Sequence, residues 1–161
     1  MKEIDRTMES QENMETWFQK TISTDSKLYQ NGIIPMMEPK FVHCSYAEKS
    51  LTISMDVQEW QMNPENILHG GIIVTAFDTA FGVLTHYFAK QRMITTVTIS
   101  TTFLKPVLLQ DQLLIKVYAK SIGRTLVSLT GEARVKRNDI LTATANTTFM
   151  ILDKEFSYQI P

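Results

Sequence analysis

Between Gly70 and about Lys90 the chain carries an almost unbroken apolar segment, in which Ile72, Ile73, Val74, Phe77, Phe81 and Leu84 surround a helical axis on all sides. Read as one helix it is about 30 Å long. A helix that is apolar all round has to be enclosed. Its length approaches that of a membrane span, but Asp78 and His86 fall within it, and ionisable groups are costly in hydrocarbon. The spacing therefore predicts a central helix wrapped by the rest of the protein, with a carboxylate inside an otherwise apolar run.

The wrapping reads as strands. Residues 41–46 and 51–57 follow a period of two around a turn at Glu48-Lys49. In the stretch 95–104, Val97, Ile99, Thr101 and Phe103 alternate with Thr96, Thr98, Ser100 and Thr102. Residues 112–122, 127–135 and 140–152 alternate again, separated by turns at Gly123-Arg124 and Asn138-Asp139. Strands rich in Thr, Val and Ile over short turns mean antiparallel sheet. One long helix with five or six strands around it is an α+β fold. Before it, Met14, Trp17, Phe18 and Ile22 share a helical face suited to covering a core, and Asn31-Gly32, Pro35 and Pro39 then break the chain into loop. The expected organisation is a single domain over 1–161, with an N-terminal extension (1–39) and a core (40–152).

Composition bounds the chemistry. A net charge of −1 gives no general attraction to nucleic acid or anionic membrane. Cys44 is the lone cysteine, so no internal disulfide forms, and the first residues are too polar for a secretory signal; a cytoplasmic protein is expected. Three scattered histidines have no zinc spacing, so no metal is expected. Neither a Gly-x-Ser-x-Gly elbow nor a phosphate-binding glycine loop occurs. His43 and Cys44 are neighbours on a strand and point to opposite faces, which rules out a Cys-His pair.

What remains is the stretch NPENILHGGIIVTAFDTAFG, from Asn63 to Gly82. The first N–H groups of a helix have no intrahelical partner, and the helix dipole favours negative charge there. His69-Gly70-Gly71 at the helix start therefore offers a site for a developing oxyanion, with glycine allowing close backbone approach. Asp78 lies about 13 Å further along the same helix. That is too far to act on the same carbonyl within one chain. Either the two features are unrelated, or a second subunit brings Asp78 opposite another chain's Gly70.

The loop Asn…His-Gly-Gly, the apolar helix after it and the Asp nine residues beyond the His resemble the hotdog-fold acyl-CoA thioesterases, most of all the phenylacetate-pathway type. The resemblance spans roughly 41–152. It implies a five- or six-stranded sheet around a central helix, and subunits that pair through a continuous sheet into homodimers, often homotetramers. It implies further that Asn63 and His69 position the loop and the thioester, that the Gly70 N–H polarises the carbonyl, and that Asp78 is the catalytic carboxylate, as general base or nucleophile. Thr96 then helps hold the attacking water. No cofactor is implied beyond the coenzyme A of the substrate. Gly71 and Arg124 are candidate substrate-binding residues, Arg124 for the phosphates, from a basic group that also holds Arg134, Lys136 and Arg137. One departure is Asn66, which stands where such loops commonly carry glycine; Asn tolerates the left-handed conformation. The competing functions are a non-catalytic acyl-CoA-binding or sensing protein, and a dehydratase or isomerase, whose Asp and His are placed otherwise.

Overall fold

Helix α1 (Gln11–Thr21) starts at Ser10, whose hydroxyl accepts the Asn13 N–H at 3.2 Å. The computed structural model describes residues 10–90 and 92–155, the side chains of Lys154 and Glu155 excepted. The first nine residues of the expected N-terminal extension, and the segment after 155, lie outside the described residues. The period read in the sequence is realised: Met14, Phe18 and Ile22 are buried, and Trp17 meets Tyr87 edge-on with ring centroids 5.4 Å apart. A short helix α2 (Ile33–Met37) follows the loop. Then come β1 (Lys40–Ser45), β2 (Ser50–Asp56), helix α3 (Gly70–Phe88), β3 (Arg92–Phe103), β4 (Gln112–Ile122), β5 (Leu126–Val135) and β6 (Ile140–Glu155).

All six strands form one antiparallel sheet in the order β1-β2-β4-β5-β6-β3, and α3 packs against five of them. This is the hotdog arrangement that the resemblance implied. Odd-numbered residues of β4 and β5 (Leu113, Ile115, Val117; Val127, Leu129, Ala133) face the helix and are buried, as the period of two required. Phe77 and Phe81 of α3, both fully buried, stack with centroids 5.8 Å apart in the centre of that core. By length and hydropathy α3 would pass for a membrane span, yet half of it is buried inside the chain's own fold.

A glycine sets how closely helix and sheet approach. A Cβ on Gly131 of β5 would lie 2.9 Å from Val117 Cγ1, 3.1 Å from Phe81 Cζ and 3.2 Å from the Lys116 carbonyl oxygen. The last of these is backbone and cannot swing away. Gly131→Ala is therefore expected to destabilise the fold by about 1–3 kcal/mol through overpacking, read as a lower urea midpoint. An unshifted midpoint would mean that β5 can retreat from α3 at no cost.

One expectation needs correction. The apolar circumference of α3 predicted burial on every side, including Asp78. In the single chain a stripe stays open instead: Gly71 is exposed, and Thr75, Asp78, Gly82 and His86 are half-buried. These positions recur every three or four residues, so they share one face. The sheet is not wide enough to close over it.

The two sheet edges differ in the same sense. At β1 the Gln11 side chain of α1 acts as a surrogate strand: its Nε2 donates to the Cys44 carbonyl (2.9 Å) and its Oε1 accepts the Tyr46 N–H (2.8 Å). At the other edge β3 is twelve residues long, mostly exposed, and presents Val97 and Phe103 to solvent. A long bare edge of this kind is a ready template for strand pairing.

Candidate active site

Three consecutive local structures place the His-Gly-Gly motif. Asn63 organises the turn before it. Its Oδ1 accepts the N–H groups of Glu65 (3.0 Å) and Ile67 (3.1 Å), and its own N–H donates to the Ile67 carbonyl at 2.8 Å. Asn66 sits at φ 58, so the left-handed turn is made with Asn in the glycine's place. Next, the Leu68 N–H donates to the Val107 carbonyl and the His69 N–H to the Gln61 carbonyl, at 2.8 and 2.9 Å. These bonds hold the approach to the helix from both sides.

His69 is the N-cap of α3. Its Nδ1 accepts the Gly71 N–H at 2.9 Å, and its carbonyl accepts the N–H of Ile72 at 2.9 Å. An Nδ1 that accepts carries no proton, so in the neutral ring the proton is on Nε2. Of the first donors of the helix, Gly71 is thus occupied by the cap. The Gly70 N–H has no acceptor among the described residues, and it sits at the positive end of the helix dipole. Gly70 borders a pocket of about 530 Å³ whose walls include Ile73, Phe103, Leu104 and Val107, with Asn63 and Lys105 contributing polar groups. Phe103 comes so close that a Cβ on Gly70 would meet its ring at 3.1 Å.

The second group lies along the open stripe of α3. The Thr96 hydroxyl donates to Asp78 Oδ1 at 2.8 Å. Strict alternation from Ile99, Thr101 and Phe103 would have sent Thr96 to the other side of the sheet. A bulge resolves this: Thr96 pairs with Phe149 and Thr98 with Thr148, leaving Val97 as the extra residue. Such an insertion switches the facing of everything beyond it. Thr96 consequently turns towards α3, while Thr98 and Ser100 line a shallow polar hollow with Lys120 and Ser128 on the outer face. Asp78 Oδ2 has no partner among the described residues, so a carboxylate with one free oxygen stands next to a hydroxyl.

The structure thus assembles two partial sites. One holds Asn63, His69, Gly70 and Gly71; the other holds Asp78 and Thr96. Eight helical residues separate Gly70 from Asp78, about 12 Å along the axis, so a single chain does not unite them. Arg124 joins neither group. It is exposed in the β4–β5 turn, just before Leu126, which pairs with Met150 as Thr95 does from the other side. It makes no ion pair among the described residues, whereas Arg134 is held by Glu132 and Asp139, and Arg137 by Asp111. Sequence reading missed Phe103, Leu104 and Val107 as pocket walls. Phe103 was legible as one of the alternating apolar residues of the strand, but its contact with Gly70 depends on how β3 lies across the helix start.

The comparisons fit this geometry. The family model of the thioesterase superfamily matches residues 65–148, which include Gly70, Asp78, Thr96 and Arg124. No curated protein matches the sequence. Among solved structures, the E. coli PaaI protein from the phenylacetic acid degradation operon superposes with a TM-score of 0.71 at 15% identity, covering 80% of this chain and 89% of that one. The smu.793 protein from Streptococcus mutans UA159, bound to acetyl CoA, gives 0.67 at 20% identity, covering 83% and 98%. Thioesterase superfamily member 2 from Mus musculus gives 0.72 at 19%, covering 85% and 96%. At such identities the likeness is one of fold.

Proposed function

This chain belongs to the thioesterase superfamily and is a thioester hydrolase, and from that premise we propose that it cleaves acyl-CoA at sites shared between two subunits. The observation that carries the reading is the Gly70 N–H at the start of α3, which has no acceptor among the described residues and lies beside an apolar pocket. A thioester carbonyl bound there has its oxygen against that N–H. Asp78 of the partner subunit, held by its Thr96, then activates water or attacks the carbonyl carbon itself.

In the water route, oxygen adds to the carbonyl carbon as Asp78 takes the proton, and the negative charge forms on the oxygen facing the N–H. Collapse of that intermediate breaks the C–S bond, and the thiolate of coenzyme A leaves and regains a proton. An oriented donor is worth most at this point, because the charge exists only in the transition state and intermediate. His69 and Asn63 serve by positioning: one caps the helix, the other holds the turn.

Two subunits are needed for a physical reason. The two partial sites are about 12 Å apart along one helix, the stripe bearing Asp78 is uncovered, and the bare edge of β3 adjoins it. Pairing β3 with the same strand of a second copy would extend the sheet, cover the stripe and bring the halves together. Arg124, exposed in the β4–β5 turn and without an ion pair among the described residues, suits the phosphates of coenzyme A.

The testing experiment is thiol release from a panel of acetyl-, octanoyl-, palmitoyl- and phenylacetyl-CoA, with sedimentation to count subunits. Turnover by a dimer or tetramer supports the reading. Binding of these thioesters without thiol release identifies a binding protein instead. Thr96→Ala is expected to lower kcat about tenfold, the worth of one hydrogen bond to a charged group, with the melting temperature retained. An unchanged kcat would remove Thr96 from the site.

A further inference from the structure

Asp111 is the one charged residue that is buried among the described residues, and neither partial site contains it. It ends the loop after β3, one residue before β4. A carboxylate taken out of water needs partners, and three donors meet this one. Its Oδ2 accepts the Leu108 N–H at 3.0 Å, and its Oδ1 accepts Arg137 Nε and Nη2, both at 3.0 Å. The Arg137 side chain is largely exposed, so the guanidinium closes the group from the solvent side.

These bonds hold a tight turn. The Asp111 N–H donates back to the Leu108 carbonyl at 3.2 Å, and Gln110 within the turn has φ 69. A residue with a side chain is strained in that left-handed region and persists there where surrounding bonds over-determine it. Here the carboxylate does so.

From this turn two segments lead to the start of α3. Leu108 directly follows Val107, whose carbonyl accepts the Leu68 N–H at 2.8 Å. Leu104, Lys105 and Pro106 of the same loop wall the pocket beside Gly70. On its other side, the Asp111 carbonyl accepts the Val57 N–H at 2.9 Å. That bond anchors the segment running from Val57 through the short helical turn Glu59–Gln61, and the Gln61 carbonyl accepts the His69 N–H at 2.9 Å. Gln61 is buried too, and its Oε1 accepts the Gln58 N–H at 3.0 Å, which stiffens the segment. The carbonyls that orient Leu68 and His69 thus sit on two segments, both tied to Asp111.

We propose that Asp111 is a positioning residue for the oxyanion donor. Held by Arg137, it sets where the Val107 and Gln61 carbonyls stand, and through Leu68 and His69 it sets the direction of the Gly70 N–H. This rests on the acyl-CoA thioesterase reading and deepens it. Asp111 touches no substrate, so its effect falls on the step in which charge develops and not on binding.

The test is kcat and KM on the best acyl-CoA for wild type, Asp111→Asn and Gly131→Ala, each well below its melting temperature. Backbone amide exchange at Leu68 and His69 is measured alongside, relative to Leu84 in the interior of α3. Asparagine matches the size of aspartate, but its amide nitrogen cannot accept, so one of the two acceptor oxygens is lost. Asp111→Asn is expected to lower kcat about tenfold at nearly constant KM, within the roughly hundredfold that misplacing a reacting group by about 1 Å can cost. Exchange at Leu68 and His69 should quicken relative to Leu84, because the local opening becomes easier. Gly131→Ala, destabilised in the core, should keep its kcat.

An unchanged kcat in Asp111→Asn overturns the proposal. So does an equal fall in Gly131→Ala, which assigns the loss to stability, or a raised KM at constant kcat, which assigns Asp111 to binding. Should Asp111→Asn fail to fold, Arg137→Lys carries the same test, since it keeps the charge but not the fixed fork of donors. Its kcat should fall in the same direction by less, and unchanged kcat and exchange overturn the proposal. If wild type releases no thiol, the acyl-CoA reading fails by itself. Faster exchange at Leu68 and His69 in Asp111→Asn then still upholds the clamp, and unchanged exchange overturns it.

Discussion

Replacing Asp78 with alanine is expected to lower kcat on the best acyl-CoA at least about a hundredfold, the usual worth of a positioned proton-transfer group. Folding should survive the change. Asp78 is half-buried, its bond to Thr96 is its sole hydrogen bond among the described residues, and Thr96 is itself exposed, so the hydroxyl left behind is solvated. Alanine also has the highest helix propensity, which offsets part of the lost hydrogen bond. The measurement is thiol release together with a thermal melt. Asp78→Asn keeps an acceptor for Thr96 but neither a base nor a nucleophile, and it should lose as much activity as alanine. Full activity in Asn with loss in Ala would reduce Asp78 to a structural partner of Thr96.

Gly70→Pro should be as damaging to activity and nearly silent in stability. Gly70 is the first residue of α3, the helical position that proline occupies most readily. Its N–H has no partner among the described residues, so no hydrogen bond among them is lost. The preceding residue, His69, already has the extended conformation a proline demands of its neighbour, with φ −61 and ψ 132. What disappears is the donor proposed for the thioester oxygen, and kcat should fall about a hundredfold to a thousandfold, roughly 3 kcal/mol. Gly70→Ala is the control: it places a carbon at the same 3.1 Å from Phe103 but keeps the N–H. Equal losses in both variants would assign the effect to crowding by Phe103 and remove the donor role. The same variants test the shared site. Mixing Gly70→Pro with Asp78→Ala subunits should restore about a quarter of wild-type activity, because half of randomly formed dimers are mixed and each has one intact site of two. No recovery in mixed dimers would refute sharing.

Both predictions draw on residues whose roles were only partly legible before the structure. The central helix, the wrapping strands and the capping motif were readable, because hydrophobic period and glycine placement are local properties of the chain. Asn66 was readable for the same reason: its left-handed turn needs only its own φ. The contact of Thr96 with Asp78 runs against strict alternation along β3, which would have turned Thr96 away. A bulge is one residue of mismatch between two strands, and β3 alone does not encode it; the register with β6 does. The pocket walls Phe103, Leu104 and Val107 were missed because they meet Gly70 only when β3 and its following loop cross the helix start.

By itself the sequence determined an apolar helix that had to be enclosed, an antiparallel sheet to enclose it, and an unpaired helix N-terminus with a carboxylate farther along. Those follow from side-chain period, turn chemistry and the orphan donors of any helix. The tertiary structure alone decided that the enclosure stops short of Asp78, that β1 is sealed by Gln11 while β3 stays bare, and that Thr96 reaches the carboxylate. These outcomes depend on strand order, register and sheet width, which are fixed by contacts between residues far apart in the chain. No local pattern carries them.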